Sequence, residues 1–180
     1  ARSSVLDEVL GVEDTRGLLQ EVPAVFGTRV NDALLTAVAA AVGAWSGADQ
    51  VRLDLEGHGR EDVFEGVDVS RTVGWFTTIS PVALPVPSRG DLGAGLKRVK
   101  ELLRGRPRQG LGYGLVRESD EVLASAVPAQ MSFNYLGQFE AGAGGGFAAG
   151  AGLAGPDWDP ANERPYLIDI VGWVEDQMLH

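Results

Sequence analysis

Between Val51 and Glu56 the chain alternates without a break: Val51, Leu53 and Leu55 share one parity, Arg52, Asp54 and Glu56 the other. A period of two is the mark of a strand with one buried and one wet face, so an apolar layer has to pack on one side of it. Gly57-His58-Gly59 ends the alternation. Glu56 therefore stands at a strand end, next to glycines that let another backbone pass close by, with His58, Arg60 and Glu61 in the following turn. A carboxylate beside an arginine is either a structural ion pair or a group held for chemistry. The residues alone leave both readings open. A second strand is predicted from Val73 to Val82, after the polar step Ser70-Arg71-Thr72, with Gly74-Trp75-Phe76 under a closely packed cover.

The layer that covers this sheet is legible upstream. Leu34, Leu35, Val38, Val42 and Trp45 fall on one side of a helix, with Asn31 as its predicted N-cap and Gly47 as its stop. Small residues between them, from Ala33 to Ala44, predict close packing on the strands, with Trp45 in the packed layer. A shorter helix runs through Leu18, Leu19 and Val22, capped by Asp14 or Thr15 and ended by Pro23. Asp62 to Ser70 reads as a polar loop anchored by Phe64 and Val67. Pro81, Pro85 and Pro87 mark the exit from the second strand, since proline has no N–H for a ladder.

Asp91 to Arg104 is predicted to be an amphipathic helix, with Leu92, Leu96, Val99 and Leu103 inside. Gly110-Leu-Gly-Tyr-Gly114 spaces three glycines by two, but no lysine follows as in a phosphate-binding loop; it reads as a tight turn holding Leu111 and Tyr113 inward. A short helix is predicted from Ser119 to Val127 and strands at Met131–Phe139 and Pro165–Val174, with a hairpin turn at Glu175-Asp-Gln. In the Met131 strand, Asn134 and Tyr135 must point to opposite faces unless the strand bulges. Each is either a core or pinning residue or a site-lining one. The Gly/Ala-rich stretch 141–155 reads as a surface loop.

Composition removes whole classes of function. A chain of 180 residues with 44% hydrophobic content is the size of one globular domain. A net charge of −10 argues against nucleic acid as a partner. No apolar run approaches the roughly 20 residues of a membrane span, and no signal-peptide layout is present, so the cytoplasm is the default compartment. Without cysteine there is neither a disulfide nor a thiolate metal site or nucleophile. The basic group Lys97, Arg98, Lys100, Arg104, Arg106 and Arg108 is either a solvated helix face or the local patch where an acidic carrier protein docks.

Four segments carry a family resemblance. Glu56-Gly-His-Gly-Arg-Glu61 and Ser70-Arg-Thr-Val-Gly-Trp-Phe-Thr77 closely resemble two signature motifs of the epimerization domains of nonribosomal peptide synthetases, and Gly110-Leu-Gly-Tyr-Gly114 and Phe133-Asn-Tyr-Leu-Gly-Gln-Phe139 resemble two more, in the family's order. The resemblance runs from about Asp14 to the C-terminus. It implies an α/β fold like a lobe of chloramphenicol acetyltransferase, a mixed sheet with helices on one face, with residues 1–180 forming a C-terminal lobe. The His-His-x-x-x-Asp-Gly motif of the family's N-terminal lobe is not in this chain, whose two histidines are His58 and His180. Ser80, where an aromatic is expected, and Glu140, where an aspartate is usual, depart from the pattern.

The reaction that the resemblance implies is inversion, L to D, at Cα of an aminoacyl or peptidyl thioester. The substrate hangs from the phosphopantetheine of a peptidyl carrier protein, and the chain binds no cofactor or metal of its own. Glu56 matches the catalytic glutamate, Arg60 and His58 orient its motif, and Asn134 and Tyr135 line the site. A condensation-type lobe and a non-catalytic carrier-binding lobe are the alternatives.

Overall fold

The computed structural model describes residues 4–139, 159 and 161–180. The 141–155 stretch lies outside them. Helix α1 (Val12–Arg16) runs through a π-helical turn (Gly17–Glu21) into α2 (Val22–Phe26). Pro23 does not end this helix. It sits in the first turn of α2, where a missing N–H costs nothing because the widened turn before it supplies the break. Thr15 is a buried pin rather than a cap: its hydroxyl donates to the Leu10 carbonyl at 3.2 Å and accepts from the Leu179 amide at 3.0 Å.

Helix α3 (Val30–Ser46) is closed at its start by Asp32, which accepts from the Arg29 amide at 2.8 Å, so the cap is not Asn31. Gly47, at φ +73°, ends it in the left-handed region as predicted. Its small residues do let it approach the sheet, since a Cβ at Gly43 would lie 2.4 Å from a methyl of Val86. Trp45, in contrast, is 76% exposed and lies outside the packed layer.

Strands β1 (Gln50–Gly57), β2 (Thr78–Pro85), β3 (Met131–Phe139), β4 (Ile168–Glu175) and β5 (Met178–Leu179) form one mixed sheet in the order β2-β1-β3-β4-β5. β2 is antiparallel to β1, β3 is parallel to β1, β4 is parallel to β3, and β5 returns antiparallel after the predicted hairpin. β2 begins five residues later than predicted, at Thr78; Val73 and Trp75 are 99% and 90% exposed, as are much of Phe64 and Val67 in the preceding loop. Of the prolines, Pro85 closes the strand and Pro87 follows it, as predicted, but Pro81 lies inside it. β2 tolerates Pro81 because it is an edge strand.

Helix α4 (Leu92–Arg104) starts at Asp91, whose carboxylate accepts from the Ala94 amide at 2.9 Å. Leu96, Val99 and Leu103 are buried, while Leu92 faces out. The helix predicted at Ser119–Val127 is only the short α6 (Glu121–Ala124), and a separate helix α5 (Tyr113–Ser119) precedes it, because Asp120 accepts from the amides of Val122 and Leu123 and starts a new helix. Leu35 and Ala39 of α3 and Val99 and Leu103 of α4 meet Val51, Leu53, Leu55, Val82, Leu84, Met131 and Phe133 in a single core. That core defines two faces. The residues of opposite parity, Ile79, Pro81 and Ala83 on β2, Asp54 and Glu56 on β1, Ser132 and Asn134 on β3, and Asp169 on β4, share the face turned away from it.

Candidate functional site

Glu56 is the last side chain of β1 before Gly57, on the face away from the core. The parallel pairing of Leu55 with Phe133 carries Asn134 alongside it, and Asn134 Nδ2 donates to Glu56 Oε2 at 2.7 Å. Among the described residues this is the carboxylate's one hydrogen bond, so Oε1 is left unengaged. Partial burial, and then the charge of Asp169, push the Glu56 carboxyl above the ordinary range.

Asn134 and Tyr135 part company as adjacent strand residues must. Tyr135 lies with Met131 and Phe133 against the core, and its buried hydroxyl has no partner among the described residues. The bulge in β3 falls beyond it, between Tyr135 and Gln138. The structure therefore brings Asn134 to Glu56 and sends Tyr135 to the opposite face.

His58 and Arg60 serve the turn itself. His58 Nδ1 accepts from the Arg60 amide at 3.0 Å, and Nε2 lies 3.4 Å from Glu61 in an exposed pair. The Arg60 guanidinium donates to the Val69 carbonyl and sits 4.1 Å over the Phe76 ring, tying together both ends of the loop between β1 and β2. Gly59 explains the need for glycine here. At φ +64° its Cβ would lie 1.6 Å from the Phe76 carbonyl oxygen, so the loop closes only over a residue without a side chain. At Gly110, φ +88°, a Cβ would strike Ser80 and Arg106, whose side chains hydrogen-bond to each other.

The basic group around α4 is divided rather than gathered. Lys100 Nζ donates to the Phe26 carbonyl at 2.9 Å and Arg104 Nη2 to the Gly27 carbonyl at 2.7 Å, so both close the C-terminus of α2. Arg106 is held by Ser80. Lys97, Arg98 and Arg108 remain exposed.

Sequence reasoning missed the polar row beneath Glu56. Asp54 pairs in register with Ser132, and Ser132 with Asp169. The Ser132 hydroxyl donates to Asp169 Oδ1 at 2.7 Å, Arg164 pairs with Asp169 Oδ2, and the Tyr166 hydroxyl donates to Asp54 Oδ2 at 2.9 Å. Burial, and then the bond to Asp54, push the Tyr166 phenol up to about 12. One signal was available: Asp169 interrupts the apolar run Ile168–Val171. Nothing local ties Tyr166 to Asp54, 112 positions away.

Known proteins share this arrangement of elements. The chain is 45% identical to chondramide synthase cmdD of Chondromyces crocatus over 99% of its own length and 5% of that protein's. It is 41% identical to tyrocidine synthase 2 of Brevibacillus parabrevis, over 95% of its own length and 5% of that protein's. It thus spans a small fraction of the relatives it matches. Among solved structures, the epimerization domain from the third module of tyrocidine synthetase B superposes with a TM-score of 0.85 at 40% identity, covering 97% of this chain and 40% of that one. The first condensation domain of the calcium-dependent antibiotic synthetase, at 23% identity and a TM-score of 0.55 over 72% of this chain and 28% of that one, shares the fold. The family model described as condensation domain matches residues 7–178, end to end through the sheet and the Glu56 turn, and this chain belongs to that family.

Proposed function

We propose that the chain is the C-terminal lobe of a nonribosomal peptide synthetase epimerization domain, and that Glu56 exchanges the Cα proton of an aminoacyl or peptidyl thioester presented by a peptidyl carrier protein. The observation that carries this reading is the Asn134–Glu56 bond on the face of the sheet turned away from helices α3 and α4. The 40% identity to an epimerization domain supports it.

The chemistry follows from the geometry. Breaking the Cα–H bond sends the proton to the carboxylate and the electron pair into the thioester carbonyl, giving an enolate-like anion. Return of a proton to the opposite face of Cα inverts the centre. Asn134 holds Oε2 and leaves Oε1 to receive the proton. A carboxyl pushed above its ordinary range is a stronger base than a solvated one and a competent acid for the return step. The second proton-transfer group belongs to the N-terminal lobe with its His-His-x-x-x-Asp-Gly motif. Phosphopantetheine enters only as the substrate's tether.

The test is Cα hydrogen–deuterium exchange and chirality of a carrier-bound aminoacyl thioester in the complete two-lobed domain. Glu56→Gln is expected to lower exchange by about 10²–10⁴-fold with carrier binding intact. Undiminished exchange in that variant removes Glu56 from the mechanism. Carrier binding without any exchange in the wild type points instead to a condensation-type or purely binding lobe.

A further inference from the structure

Glu56 does not stand alone on its face. Directly across three strands, Asp54, Ser132 and Asp169 occupy one row of the sheet, and Glu56 and Asn134 occupy the next. The ends of the first row are closed from the segment before β4, with Tyr166 reaching over β3 to Asp54 and Arg164 pairing with Asp169. Three charged groups, Asp54, Asp169 and Arg164, and two hydroxyls, those of Ser132 and Tyr166, thus engage each other one step from the carboxylate.

We propose that Asp169, clamped between Ser132 and Arg164, is a positioning residue for Glu56, acting through the polar face of the sheet without touching substrate. This rests on the reading of Glu56 as the proton-transfer group. Of the two other carboxylates on this face, Asp169 is the one with a cation beside it, Arg164. Asp54 is held by the neutral Tyr166 phenol, and Ile79, paired with Glu56 on β2, is apolar. His58, Arg60 and Glu61 are engaged within their own loop, while Ser132 and Asn134 carry no charge. Helices α3 and α4 lie across the sheet on the other side. Asp169 is also the one charged group that contributes to raising the Glu56 carboxyl. Its Ser132 bond fixes where that negative charge sits, with the side chain 29% exposed. Arg164, half exposed, is a partial counter-charge on the far oxygen.

This geometry gives two substitutions opposite signs. Removing the charge in Asp169→Asn, which keeps an oxygen for Ser132, lowers the proton affinity of Glu56. Removing the counter-charge in Arg164→Gln raises it. The experiment uses the complete epimerization domain and reads both the pH dependence of Cα exchange and the titration of the Glu56 side-chain carboxyl by NMR, its signal assigned by its loss in Glu56→Gln. The expected result is that the rise of activity with pH moves to lower pH in Asp169→Asn and to higher pH in Arg164→Gln. KM should be unchanged, and the fall in kcat smaller than in Glu56→Gln. Glu56 titrations that coincide in wild type and both variants overturn the proposal. Should Asp169→Asn fail to fold, Arg164→Gln decides the matter alone. The NMR titration is independent of turnover. Intact exchange in Glu56→Gln therefore removes the catalytic reading, while the two titration shifts still decide the coupling.

Discussion

Asn134 Nδ2 donates to Glu56 Oε2 at 2.7 Å, across two parallel strands whose pairing is set by Leu55 and Phe133 on the opposite face. The apolar core thereby sets the register of the polar site, because a slip of one residue would send Asn134 into the core and Tyr135 to the carboxylate.

Glu56→Gln should change stability in a pH-dependent way. Burial and Asp169 raise the folded carboxyl above its unfolded value of 4.5, so the native state binds more protons than the unfolded one between those two values. Stability is then lost as pH rises through that window. The glutamine variant lacks this loss. Denaturant titrations at neutral pH should show it at least as stable as wild type, with the advantage vanishing as pH falls below the ordinary carboxylate range. An advantage independent of pH would contradict the linkage.

Tyr166→Phe should remove one titration and one hydrogen bond. The phenol is pushed up to about 12 from 10.0, so wild type loses stability as pH climbs from 10.0 through about 12, and the variant does not. Below that window the lost bond to Asp54 is expected to cost about 0.5–1.5 kcal/mol. Ultraviolet titration of phenolate absorbance should show the late-ionising tyrosine disappear in the variant.

The two large apolar residues Leu53 and Trp45 should behave oppositely. Leu53 is fully buried in the centre of the core, and Leu53→Ala is expected to cost about 2–5 kcal/mol in chemical denaturation. Trp45→Ala, at a side chain 76% exposed, should stay within about 0.5 kcal/mol of wild type.

Gly59→Ala should damage the loop between β1 and β2. The left-handed backbone alone costs a residue with a Cβ about 1–2 kcal/mol, and the Phe76 carbonyl must also give way. A fall in Tm and lost protection of the amides around Phe76 in hydrogen exchange are expected; a variant with wild-type Tm would show that this turn is held some other way.

These contrasts show where the sequence is readable. Alternation from Val51 to Glu56 locates β1 and puts Glu56 on the face opposite the core, because burial on one side is a local, periodic demand. Helix stops at glycine are legible for the same reason, as at Gly47. The errors arise where one local rule meets a tertiary choice. Val73 to Phe76 has strand-forming composition, yet the Arg60 contacts with Val69 and Phe76 hold that stretch in the loop. Trp45 keeps the helical period but sits one turn past the sheet's cover, on the last turn of α3. Pro81 reads as a strand breaker because sequence does not say which strand is the edge. The site divides likewise: Glu56 stands out in its glycine-flanked turn, whereas Asp54, Ser132, Asp169 and Tyr166 become neighbours only through strand order.

The prolines of β2 have one more consequence. A sheet invites extension at its outer strands, where unpaired amides can template another chain. Here one border offers two positions without an amide, Pro81 and Pro85. At the other, β5 is already met by Leu10, whose amide donates to the Leu179 carbonyl at 2.8 Å, and by Thr15, which takes the Leu179 amide. Sideways growth is disfavoured at both borders, which guards these strands against strand-on-strand aggregation.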